Sequence, residues 1–127
     1  MTTPAHTDRQ RGTILLAHGS RDPLWRRPIE AVAERVRQLA PALHVRCAYL
    51  EATAPDLAAC VAELAGLGVL SITVMPLLLG MGKHARDDLP ILLATLQQNH
   101  PGIVFVLKPA IGEQSQMIEL MAHIALA

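Results

Sequence analysis

The sequence predicts an α/β fold, one domain with a four-stranded, mainly parallel sheet flanked by helices. Strand-like apolar runs recur four times, at 12–19, 43–51, 69–79 and 103–109, and each is followed by a segment with helical apolar spacing. The first run, "GTILLAHG", is apolar without alternation, the mark of a strand buried on both faces as parallel strands are. At 127 residues the chain is long enough to bury a core without staples, and 51% hydrophobic with 17% charged residues excludes a disordered tail.

The elements follow in order. Residues 1–11 read as a flexible leader with no apolar signal-peptide core, and 12–127 as the folded domain. After the first strand, Ile29, Val32, Ala33, Val36 and Leu39 give an amphipathic helix over 26–40, which Pro41 ends. "LHVRCAYLE" is the second strand, and Thr53, Pro55 and Asp56 mark a helix start with a hydroxyl N-cap. Leu57, Cys60, Val61 and Leu64 form that helix's buried stripe, and Gly66 and Gly68 stop it. The third strand runs from Val69 and is richest in β-branched residues up to Pro76. "GMGKHARDDLP" then reads as a loop leading into a helix with Asp87, Asp88 and Pro90 in its first turn. Leu89, Leu92, Leu93 and Leu96 stripe that helix. "IVFVLKP" is the fourth strand, and Met117, Leu120, Met121 and Ile124 line a last helix. Right-handed crossovers join such units.

Bulk properties narrow the partners. Zero formal charge gives nucleic acid no footing, and the longest greasy stretch, 69–81, is too short and too polar to span a membrane. Cys47 and Cys60, with twelve residues between them, fit no metal-finger spacing and read as reduced core thiols of a cytoplasmic protein. Trp25, Tyr49 and Phe105 are the only aromatics, so a flat ligand must rest mainly on aliphatic side chains.

His18, Glu51 and His84 stand 33 residues apart, about one βα unit, each at or just beyond a strand's carboxyl end. Ligands of parallel α/β sheets bind at that edge. Two imidazoles and a carboxylate suit a divalent first-row metal with positions left open. Taken singly, each residue also has an ordinary reading as a turn, core or surface residue. His6, His44, His100 and His123 read as solvated or structural. Ser20 reads as a turn or cap hydroxyl, since "AHGSRD" is not a nucleophile elbow. "GMGKH" is not a phosphate loop, so no nucleotide is expected. Arg21, Arg26, Arg27, Lys83 and Arg86 gather near the same edge, as solvated charges or as counter-charges for an acidic ligand.

"LLAHGSRDP", "AYLEATAPDL", "VMPLLLGMGKHARDDLP" and "KPAIG" together resemble the CbiX/SirB group of class II tetrapyrrole chelatases, from about residue 12 to the C-terminus. The resemblance implies a flavodoxin-like three-layer domain and insertion of Co2+ or Fe2+, or Ni2+ as in some small relatives, into sirohydrochlorin or a related ring, without ATP. It implies metal contacts at His18, Glu51 and His84. Many relatives carry two such domains, so a single one implies a homodimer with the cleft between subunits. Leu77, Leu78, Leu79 and Met81 would then support the ring, or simply pack the core. Its carboxylates would meet Ser20, Arg21, Lys83 and Arg86, and Gly19 would let the ring approach the backbone. Two rivals are a non-catalytic metal or tetrapyrrole carrier using the same residues and, on "HGSRD", a hydrolase.

Overall fold

A computed structural model describes residues 6–127. Four strands, β1 (Arg11–Ala17), β2 (His44–Tyr49), β3 (Ser71–Pro76) and β4 (Val104–Leu107), form one sheet in the order β2-β1-β3-β4. Every pairing is parallel. Helices α1 (Arg27–Leu39), α2 (Leu57–Gly66), α3 (Lys83–Asn99) and α4 (Ser115–Leu126) alternate with the strands.

Alternation of side chains along β1 builds two cores. Ile14 and Leu16 face α2 and α3, where they join Leu57, Cys60, Val61, Leu64, Leu89, Leu93 and Leu96. Leu15 and Ala17 face α1 and meet Ala33 and Ile29. Continuous apolarity in β1 is thus the signature of a central strand between two helical layers. Cys60 belongs to the first core and Cys47 packs at the second, so the thiols lie on opposite faces, both free. Burial pushes both above the usual thiol value, Cys60 to about 11. α4 contributes no buried residue, and Ile118, Leu120 and Ile124 remain about half or more exposed.

Residues 1–5 of the expected leader lie outside the described part, and Thr7–Gln10 forms a capped turn that runs into β1 at Arg11. That turn is tied down: Leu70 N–H donates to the Gln10 carbonyl at 2.7 Å, and the His44 ring lies 3.1 Å from the Arg9 carbonyl. The N-cap of α2 is Asp56, whose carboxylate accepts from Ala59 N–H at 2.9 Å, and not Thr53. Tyr49 N–H donates to the Pro55 carbonyl, which folds 50–55 into a closed loop and leaves Asp56 as the first residue free to cap. Finally, α3 starts at Lys83, so Pro90 lies inside the helix and not in its first turn. Its missing N–H removes only the hydrogen bond to the Arg86 carbonyl. Burial of Leu89, Leu93 and Leu96 on the core side offsets that loss.

Candidate active site at the carboxyl edge of the sheet

The strands end on the residues expected of them, because the backbone turns immediately afterwards. His18 follows the last residue of β1, and Leu50 and Glu51 follow the last of β2. The two loops are laced together: Leu50 N–H donates to the Ala17 carbonyl at 2.9 Å and Glu51 N–H to the His18 carbonyl at 2.8 Å. Gly19 makes this approach feasible. Its φ of +106° is a left-handed conformation, and a Cβ there would run into the Glu51 carbonyl. The glycine therefore seats the neighbouring loop. Gly112 does a similar service on the other side of β3, where a Cβ would strike the backbone of Leu79.

His84 arrives by a different route. It is the second residue of α3, one position after Lys83, and not part of a loop. The N-cap, Gly82, supplies no side chain, so the free N–H groups of the first turn and the positive end of the helix dipole remain open there.

A cleft of about 530 Å3 collects these groups: His18, Leu50 and Glu51 on one side, Gly82, Lys83, His84, Ala85, Asp88, Leu89 and Leu92 on the other. His18, Glu51, Lys83 and His84 are all exposed to solvent. Among the described residues no three His, Cys, Asp or Glu side chains close into a group able to grip a metal ion, so the trio shares a cleft without forming a finished cage. Asp88 and Leu92 were not picked out for the site from sequence. Once α3 is known to begin at Lys83, His84, Asp88 and Leu92 fall on one stripe at spacing i, i+4, i+8.

The remaining expected residues stand apart from this cleft. Ser20 Oγ accepts from Asp22 N–H at 3.1 Å, the turn role, and the Asp22 carboxylate caps the short 3-10 turn at Pro23–Arg26. Arg21 and Arg86 are exposed, and neither lines the cleft. Leu79 is 73% exposed, whereas Met81 packs against the core under α3. Leu78 is buried, and Leu77 points to the opposite face of the sheet. There it lines a separate apolar cleft of about 620 Å3 with Trp25, Ile29, Val32, Ile111 and Met117. Leu78 thus packs the core, and Leu77 faces away from the cleft that holds His18 and His84. No helix among the described residues is long and apolar enough to cross a membrane.

Comparison with known proteins agrees with this architecture. A CbiX protein from Marinobacter aquaeolei VT8, provisionally assigned to cobalamin (vitamin B12) biosynthesis, superposes with a TM-score of 0.78 at 32% identity. That match covers 91% of this chain and 93% of the other. SirB, a sirohydrochlorin chelatase from Bacillus subtilis subspecies spizizenii solved with cobalt, shares the fold (TM-score 0.75, 24% identity). The match takes in 90% of this chain and 49% of SirB. The sirohydrochlorin cobaltochelatase of Methanococcoides burtonii is 26% identical over 75% of this chain and 72% of its own length. The next two curated sirohydrochlorin cobaltochelatases are matched over 64% and 56% of their length, less than two thirds. The family model for CbiX matches residues 12–125, nearly the whole chain, and the chain belongs to the CbiX family.

Proposed function

We propose that this chain is a metal chelatase that inserts a divalent metal, Co2+ or Fe2+ with Ni2+ as a further candidate, into sirohydrochlorin or a closely related tetrapyrrole. The observation that carries this reading is the single open cleft shared by His18, Glu51, Lys83 and His84 at the carboxyl edge of a parallel sheet. Membership of the CbiX family, whose curated relatives carry the name sirohydrochlorin cobaltochelatase, supplies the substrate class.

Metal insertion asks for three things. The ion must lose part of its water shell, two pyrrole N–H protons must leave, and the ring must be held with its nitrogens towards the metal. In this reading His18 and His84 present neutral imidazole nitrogens to the ion from opposite walls of the cleft. Glu51 is a third ligand or the acceptor of a pyrrole proton. An unfinished cage suits a metal that is substrate and must be handed on: tight ground-state binding would be lost on transfer and would slow the reaction. Lys83 and the open N-terminus of α3 offer positive charge to the ring's carboxylates. Leu50 and Leu92, both partly exposed, give the ring apolar contact in a chain poor in aromatics. Arg21 and Arg86 pair with the ring's outer carboxylates where the ring extends beyond the cleft.

The cleft is open on one side, and a second copy of the chain closes it in this proposal, giving a homodimer. In this reading the chain works in the cytoplasm, with which two free cysteines are compatible. Nothing in the proposed chemistry consumes a nucleotide. The test is an anaerobic absorbance assay with sirohydrochlorin and Co2+ or Fe2+: many metal insertions per protein chain support the enzyme. One equivalent of ring bound without metallation would instead describe a carrier.

A further inference from the structure

We infer that α4 of one chain packs on the bare face of β4 in a second copy, and that two copies exchange these helices. The contact follows from apolar surface alone and holds whether or not the chain inserts metal.

A parallel sheet is covered by helices on both faces, and here the cover is uneven. α2 and α3 share one face, where Phe105 and Leu107 of β4 join their core. On the other face α1 lies over β1 and β2. Val104 and Val106 alternate to that second face, and they remain 53% and 48% exposed. The fourth helix should cover them and does not. α4 carries Ile118, Leu120, Met121 and Ile124 but buries none of its residues, and its main neighbour is the 3-10 turn Ile111–Glu113 before it. One chain thus holds a sheet face without a helix and an apolar helix without a sheet.

The start of α4 keeps the two apart. Gln114 ends the 3-10 turn and is at once the N-cap of α4, so no slack separates them. The turn itself is fastened: Gly112 N–H donates to the Leu78 carbonyl at 3.0 Å, and the Gln114 side-chain amide donates to the Pro109 carbonyl at 3.2 Å. α4 therefore leaves on a set course, and a second copy brings β4 the helix it lacks. A twofold axis makes the contact reciprocal, each chain giving one α4 and receiving one. Charge does not oppose it. Ser71, Thr73, Val104 and Val106 on the bare face are uncharged, and Glu119 of α4 lies 3.8 Å from His123 on the same helix. The exposed apolar side chains of α4 and β4 offer on the order of 600 Å2 per chain, close to the ~800 Å2 per partner of a stable interface. Leu120 is already half exposed in one chain, so trimming it costs that chain's fold little and is felt in association instead.

The test is the mass of the full chain by light scattering and sedimentation across a dilution series, with circular dichroism to show that each variant is folded. Wild type should be a dimer at about 20 μM. Ile124→Asp on α4 and Val106→Lys on β4 should each raise the dimer dissociation constant about tenfold or more. Ile124 touches no core, so that variant folds and keeps the test decisive. Mixed in equal amounts, the two variants should re-form a dimer, since one α4–β4 pairing is then intact and the other joins opposite charges. A wild-type monomer overturns the exchange, also if that monomer binds lipid vesicles through its apolar face. A dimer that survives Val106→Lys overturns it too, because the copies then meet elsewhere. So does a mixture that stays monomeric. Metal insertion is assayed separately, and its absence in a dimer whose variants behave as described would count against the chelatase reading and not against the interface.

Discussion

The backbone N–H of Glu51 donates to the carbonyl of His18 at 2.8 Å, so the loops after β1 and β2 present their side chains from one hydrogen-bonded frame. Positioning of the candidate site is thus a backbone property first and a side-chain property second. Whatever parts these loops should disable the cleft even with both side chains intact.

Gly19→Ala tests that frame. A side chain at φ +106°, aimed at the Glu51 carbonyl, should cost about 2–4 kcal/mol of stability, read by urea unfolding. The folded fraction should also lose metal insertion. A variant of wild-type stability and rate would show that the two loops do not depend on this contact.

The core under α2 and α3 should dominate stability. Leu64 is fully buried there, and Leu64→Ala should cost about 2–5 kcal/mol. Leu120 on α4 is 51% exposed, and Leu120→Ala should stay within about 0.5 kcal/mol. Urea midpoints of the two variants give the comparison directly.

Alkaline pH should weaken the fold through Cys60. An unfolded thiol ionises near 9.0, whereas the buried one holds its proton to about 11. The unfolded chain therefore sheds the proton first. Stability from this group is complete below pH 9 and is lost as pH rises towards 11. Urea unfolding across that range should show a fall of about 1–2 kcal/mol, much reduced in Cys60→Ala. Cys47 and Tyr49, also pushed up by burial, leave a residual slope. Identical pH profiles for the two proteins would contradict this.

How far the sequence could be read depended on the physics involved. Hydrophobic patterning found four strands and four helices because each buries a face whose period survives in the sequence. The strand-end residues His18 and Glu51 were legible for the same reason: an apolar run that stops on a polar group marks an edge. Asp88 was not, because the glycines before Lys83 and the proline at 90 suggested a later helix start. Only with α3 beginning at Lys83 do His84 and Asp88 share a face. Leu77 illustrates a different limit. Its run is uniformly apolar through Leu79, and nothing in such a run says which leucine turns to which side of the sheet. Ser20 and Gly19, adjacent to a functional-looking histidine, turned out to shape the turn and to seat the neighbouring loop. Pairings between distant loops have no local signature.

The most direct measurement is anaerobic metal insertion into sirohydrochlorin by wild type, His18→Ala and His84→Ala, with circular dichroism showing that all three are folded. Each variant should insert Co2+ about tenfold more slowly or worse, and the double variant should show no insertion above the rate without protein. Folded His18→Ala and His84→Ala proteins that insert metal at the wild-type rate would contradict a metal site in this cleft.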